Sequence, residues 1–176
     1  KSIKSVKNLK GKRVILRLDL NVPINKGTII DETRIKKALS TILFLKRSGA
    51  KTIIISHLGD DGSKSLKDVA RHLMKHISLG FLPKVAGVDV EKAVSLMKNG
   101  GVIMLENLRS DSGEVKNDKL FAIELSKLGD IYVNEAFSAS HRNHASIVSL
   151  PKMLPSYAGI EFEEEIKELS KTFKPK

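Results

Sequence analysis

The 176-residue chain has no cysteine and no tryptophan. The first absence excludes disulfides and thiolate metal centres and is compatible with a reducing compartment. Aromatic residues make up only 5%, which leaves few platforms for stacking the bases of single-stranded nucleic acid. No apolar run approaches the ~20 residues of a membrane span, and the lysine-rich start, 1–12, lacks the apolar segment of a signal peptide. A cytoplasmic location is the expectation. Nucleotide fingerprints are missing as well. No G-x-G-x-x-G follows an apolar run, and Gly59-Asp60-Asp61-Gly62-Ser63-Lys64-Ser65 departs from a phosphate loop, with Ser63 in the place of a glycine and two aspartates that would repel phosphate.

What is present reads as soluble and globular, with 41% hydrophobic and 29% charged residues. The length suits one domain, or one domain with an appendage. A net charge of +11 points to anionic partners, without distinguishing nucleic acid, a membrane or a small phosphorylated acid. Much of the positive charge is lysine scattered along helices, whereas arginine is scarce. Arg17, Arg34, Arg109 and Arg142 fall near predicted strand ends. Arginine's planar, permanently charged fork suits carboxylate and phosphate.

Five apolar runs have strand length: 13–18, 52–56, a weak 84–86, 102–105 and 131–133. Between them lie segments of helical period. Ile35, Ala38, Leu39, Ile42 and Leu43 form one stripe, stopped by Gly49; Leu66, Val69, Ala70, Leu73 and Ile77 form another before Gly80. Shorter helices fit 90–98 and 118–128. After the turn at 151–156, residues 159–171 read as a helix with Ile160, Ile166 and Leu169 on one side and a run of glutamates near its start, and the tail Lys174-Pro175-Lys176 ends like a linker. Alternating strands and helices predict an α/β fold, an open parallel sheet flanked by helices on both faces in a Rossmann-like three-layer domain.

Open sheets of this kind bind ligands beyond the carboxyl ends of their strands. The first strand ends in Arg17-Leu18-Asp19-Leu20-Asn21-Val22-Pro23, with Arg, Asp and Asn at alternate positions, so that all three leave the sheet on one side. The second ends in Ser56-His57-Leu58-Gly59 and the fourth in Glu106-Asn107-Leu108-Arg109. The fifth runs into Asn134-Glu135-Ala136-Phe137-Ser138-Ala139-Ser140-His141-Arg142-Asn143-His144. Together these would build one basic pocket for an anion. Arg34, in a first helical turn where the dipole disfavours a cation, adds to that reading. His141 and His144 have a His-x-x-His spacing but no thiol or third ligand nearby, so no metal site is expected. His72 and His76 fall on the polar side of their helix and are expected to face solvent.

Arg17–Pro23, 31–34, 56–59, 105–109, 134–144 and 151–159 together resemble the amino-terminal domain of phosphoglycerate kinases, in order and through essentially the whole chain. The Arg-x-Asp-x-Asn-Val-Pro and Ala-Phe-x-x-x-His-Arg-x-His segments are the most specific. The resemblance implies a glycolytic phosphotransferase that interconverts ATP plus 3-phosphoglycerate and ADP plus 1,3-bisphosphoglycerate, with Mg-ATP or Mg-ADP held by a carboxyl-terminal domain and hinge closure between the two. It implies residues 1–158 as the phosphoglycerate-binding domain, 159–176 as the interdomain helix and start of the hinge, and a nucleotide domain absent from this chain. The chain alone is expected to bind 3-phosphoglycerate as a monomer, without cofactor, membrane or nucleic acid, and not to catalyse.

By matching motif, Asp19, Leu20 and Asn21 belong to the hydroxyl and carboxylate end of the substrate. Arg17, His57, Leu58, Gly59, Arg109 and Arg142 form a patch around its phosphate, with His141 in support. Arg34 is the catalytic residue by resemblance. Asp60 stands in the same motif where the family has arginine; its carboxylate either faces the pocket, repelling the anion, or turns to solvent with Asp61. The loop after Gly59 is shorter than usual, and Ser110 replaces an aromatic residue. A stand-alone basic anion- or nucleic-acid-binding domain would explain the charge but not the strand-end constellation.

Overall fold

Side-chain alternation along the first strand sets the two faces of the fold. In a computed structural model, which describes residues 1–172, β1 (Arg13–Leu18) turns Val14, Leu16 and Leu18 into one apolar layer and Ile15 into the other. The remaining elements follow as a hairpin of β2 (Ile24–Asn25) and β3 (Thr28–Ile29), then α1 (Thr33–Arg47), β4 (Lys51–Ile55), α2 (Lys67–Leu73), β5 (Gly80–Leu82) and α3 (Val88–Ser95). The chain continues through β6 (Val102–Leu105), α4 (Ser112–Val115), α5 (Lys119–Ser126), β7 (Ile131–Glu135), β8 (Ser156–Ala158) and α6 (Ile160–Thr172).

The main sheet has the order β5-β6-β4-β1-β7-β8, and every pairing in it is parallel. Its central strands are nearly continuous apolar runs because both faces are covered. Residues of α1 and α2 pack with Val14, Leu16, Ile54, Met104 and Val133; residues of α3 and α5 pack with Ile15, Ile53, Ile55 and Tyr132. Helix α1 buries Ile35, Ala38, Ile42 and Leu45. It closes with Gly49 N–H on the Lys46 carbonyl and Ala50 N–H on the Leu45 carbonyl, the two bonds of a Schellman ending. None of the described helices is long and apolar enough to cross a membrane.

Four of the five expected strands lie where the apolar runs are, within two residues at each end. The weak run 84–86 is not a strand. The edge strand is β5, which begins at Gly80, the residue expected only to stop a helix. Hairpin β2–β3 and edge strand β8 were not foreseen; each offers two or three residues, too few to show a period. His72 is not turned to solvent: it is largely buried, with Nε2 3.3 Å from Glu32 Oε1. The expected stripe of the last helix divides, since Ile160 packs on the core while Ile166 and Leu169 remain 44% exposed. The tail 174–176 lies outside the described residues.

Candidate functional site

From β1 the chain builds β4 and β6 on one side and then crosses to β7 and β8 on the other, so the strand order reverses at β1. That reversal opens a crevice at the carboxyl ends of β1 and β7. Asp19 stands there, one residue past β1. Its Oδ2 accepts a hydrogen bond from Arg34 Nη1 at 2.6 Å and another from the Ser138 hydroxyl beyond β7. Burial would push the Asp19 carboxyl up, but the Ser138 hydroxyl and the Arg34 guanidinium outweigh it and hold the group below the usual carboxylate range. Arg34 is thereby fixed over the crevice while its side chain stays 46% exposed. Asp19, Arg34 and Ser138 line a cleft of ≈ 270 Å³ with Lys37 of α1 and Glu161 and Glu165 of α6.

Asn21 points its side-chain oxygen at the β4 loop, where it accepts from Gly59 N–H at 2.9 Å. Both residues, with Leu58 and Lys64, line a second cleft of ≈ 720 Å³ beside the β2–β3 hairpin. Leu20 and Leu58 themselves are buried apolar side chains. Their contribution is backbone: Leu20 N–H donates to Ser56 Oγ at 3.1 Å, which donates to the Leu18 carbonyl at 2.8 Å.

Arg17, expected among the groups that touch the ligand, is instead covered, with 1% exposure. The alternation that brings it out beside Asp19 and Asn21 in sequence turns it onto the α3–α5 face of the sheet, in register with Ile55 and Asn134. Its Nε donates to Ser146 Oγ at 3.0 Å, its Nη1 to the Leu18 carbonyl and its Nη2 to His57 Nδ1 at 3.1 Å. Ser146 Oγ in turn donates to Glu114 Oε1 at 2.6 Å, and Glu114 is fully buried. A carboxylate, a hydroxyl and a guanidinium thus form a buried relay that ends on the histidine. Burial lowers the pKa of Arg17, and Glu114 opposes that shift.

His57 is not a cation. Burial, then the charges of Arg17 and Arg109, push its pKa down to about 3. Arginine can only donate, so Nδ1 is the acceptor and the neutral ring carries its proton on Nε2. Arg142, half-buried, is close enough to add to the lowering at His57 and at His144. His141 is exposed and has no hydrogen bond to any other candidate residue among those described.

Arg109 follows β6 in a short 3₁₀ turn, Leu108–Ser110, capped by Asn107. Asn107 fixes the loop after β4 onto this turn: its side chain accepts from Leu58 N–H and Arg109 N–H and donates to the Leu58 and Lys64 carbonyls. Gly62, at φ +77°, lies so close that a Cβ there would stand 2.0 Å from the Arg109 carbonyl oxygen. Arg109 Nη1 donates to the Gly59 carbonyl and to Asp60 Oδ1, the latter at 2.9 Å. Asp60 thus turns its side chain to solvent, 92% exposed, while one of its oxygens stays paired with a candidate arginine. The residues that sequence reasoning missed are Glu114, Ser146 and Tyr132, whose hydroxyl donates to the Ser146 carbonyl at 2.7 Å. Nothing in their local sequence marks them.

A family model described as phosphoglycerate kinase matches residues 3–176. The chain belongs to the phosphoglycerate kinase family. It is 46% identical over 171 residues to the phosphoglycerate kinase of Fervidobacterium nodosum, an alignment that covers 93% of this chain and 43% of that protein. With the enzyme of Orientia tsutsugamushi strain Ikeda it shares 48% identity, covering 94% of this chain and 42% of the relative. The crystal structure of phosphoglycerate kinase from Pyrococcus horikoshii superposes with a TM-score of 0.93 at 32% identity, over 99% of this chain and 46% of that one. The Coxiella burnetii enzyme gives 0.86 at 32% identity, over 97% and 44%. The chain spans less than half the length of these relatives. The described residues contain no group of three or more His, Asp or Glu side chains able to hold a metal ion.

Proposed function

We propose that this chain is the phosphoglycerate-binding, amino-terminal domain of a phosphoglycerate kinase, with 3-phosphoglycerate or 1,3-bisphosphoglycerate as its ligand and a carboxyl-terminal nucleotide domain as its partner. Residues 1–158 form the binding domain in this reading, and 159–176 the helix that leads to the hinge. The observation that carries it is the Arg34–Asp19–Ser138 cluster at the point where the strand order reverses, on a chain of this family.

Asp19 and Asn21 supply acceptors for the glycerate hydroxyl and order the loop that meets its carboxylate end. Neutral His57, with its proton set on Nε2, is a hydrogen-bond donor to the substrate phosphate, and Arg109 and Arg142 supply charge. Arg17 is a positioning residue in this scheme, acting through His57. Arg34 is the catalytic residue: an exposed guanidinium, pre-oriented by Asp19, stabilises the negative charge on the phosphoryl group in transit. Phosphoryl transfer depends mainly on positioning and on such fixed charge, so the enzyme needs no covalent chemistry from this domain. Mg-ATP is the co-substrate of the whole enzyme and is not required for glycerate binding here.

Two measurements test the reading. Amide chemical shifts of this chain titrated with 3-phosphoglycerate should move at Asn21, Arg34, Gly59 and Arg142; changes confined to lysine-rich helix surfaces would overturn the pocket and favour the basic-domain alternative. In the full-length enzyme Arg34→Ala should lower kcat by about 10²–10⁴-fold with a much smaller change in KM, because the lost interaction strengthens in the transition state. Equal effects on both constants would argue for a binding role only.

A further inference from the structure

The Arg109 side chain is only 3% exposed, and both of its guanidinium contacts, the Gly59 carbonyl and Asp60 Oδ1, fall on Nη1. Its Nε is buried with no hydrogen-bond partner among the described residues. A buried arginine normally has its donors satisfied, because each unpaired one costs its lost hydration. The carboxylate is in the opposite condition. Asp60 is 92% exposed, and its bond to Arg109 is its only side-chain hydrogen bond among the described residues.

We propose that Asp60 is an internal competitor for the anionic group of the ligand: its carboxylate holds Arg109 in the free domain and must turn into water before a ligand phosphate or carboxylate can take the guanidinium. The inference rests on the reading of this chain as a phosphoglycerate-binding domain. Asp60 is the solvent-facing member of the pair, 92% exposed against 3% for the Arg109 side chain, and its Oδ1 occupies a bonding position on Nη1 that an anionic ligand group would need. Displacement asks for no movement of the loop backbone. Asn107 ties Leu58 and Lys64 to the Arg109 turn, and Gly62 packs against the Arg109 carbonyl, so the loop is fastened while the Asp60 side chain is free to rotate. An ion pair with one member almost wholly in water is weak and salt-sensitive. The effect of removing it is therefore several-fold, not thousand-fold.

The test is a calorimetric titration of 3-phosphoglycerate into this chain and into Asp60→Asn, at low and at raised ionic strength, with the carboxyl ¹³C signal of Asp60 followed in the unmodified chain. Asp60→Asn should bind several-fold more tightly, the gain should shrink in high salt, and the Asp60 carboxyl signal should move on binding. Asp61→Asn is the control, because Asp61 carries the same charge one residue on but bonds the backbone and hydroxyl of Ser63. An equal gain from Asp61→Asn would assign the effect to the general field of the loop and overturn direct competition. Binding with unchanged affinity and an unmoved Asp60 signal would overturn this inference while leaving the substrate reading intact. No binding to either chain would overturn the substrate reading and this inference with it.

Discussion

Arg17 carries its charge into the middle of a parallel sheet, and Glu114 is what makes that tolerable. The two do not touch directly; the Ser146 hydroxyl accepts from one and donates to the other. Losing Glu114 leaves the buried Arg17 with its hydrogen bonds but without the opposite charge that offsets its burial. Glu114→Gln should therefore destabilise the chain by about 3–5 kcal/mol in urea unfolding. Replacing Arg17 by Met together with Glu114 by Leu should cost less than the single change. This relay was illegible in the sequence because Ser146 lies 129 positions from Arg17 and only the fold brings them together. What the sequence did show at Arg17 was an arginine at a strand end, and alternation alone placed it beside Asp19 without saying which neighbours would cover it.

His57 yields the pH dependence. Its pKa in the folded chain, about 3 against an ordinary value of 6.5, means that the unfolded chain takes up a proton that the native one refuses. The stability tied to this group is fully present above pH 6.5 and is lost as pH falls toward 3, at up to about 1.4 kcal/mol per pH unit. His144, also lowered by burial, adds in the same direction. Urea midpoints measured from pH 7 to pH 4.5 should fall steadily, and His57→Gln should flatten that slope whatever it does to the stability at pH 7. An unchanged slope would mean that the ring is already charged in the native state.

Among the elements, α6 is anchored to the sheet chiefly through its first turn. Glu135 takes the first free N–H groups of the helix, accepting from Glu161 at 3.2 Å and Phe162 at 2.9 Å, while Thr41 accepts from Ile160. Gly159 is required there, since a Cβ would stand 2.1 Å from a Glu135 oxygen. Phe162 adds an edge-on contact with Phe137, and past that the described residues of α6 turn Ile166 and Leu169 outward. Few apolar contacts mean a low local opening energy. Hydrogen exchange should be fast at Leu169 and slow at 160–162, and Glu135→Ala should make the first turn exchange like the last while 53–55 stays protected. Weak protection is expected at Phe173 as well, a residue outside those described. The helix and its glutamates could be read from the sequence, but Glu135 stood there only as one polar residue in a strand-end run. Central strands and long helices show their period over many residues. Edge strands β5 and β8, at three residues each, do not.

At the scale of the whole molecule, the proposed function makes the cleft at Arg34 half of a reaction site. It is a shallow opening of ≈ 270 Å³ that holds one guanidinium in partly hydrated form. Water there screens the charge that a phosphoryl transfer would rely on, and an acceptor bound on one side has no donor aligned on the other. Binding and chemistry are thereby separable. The +11 net charge attracts anions and, in the proposed reading, should make substrate affinity fall with salt, but attraction does not position a second substrate. We therefore expect purified chain, given Mg-ATP and 3-phosphoglycerate in a coupled assay, to show only background turnover under conditions where calorimetry still detects 3-phosphoglycerate. Adding the nucleotide domain as a separate polypeptide should restore some turnover, rising with the concentration of both pieces. Turnover proportional to the concentration of this chain alone would mean that the residues around Arg34 bind the nucleotide too, and would overturn the division of labour proposed for the two domains.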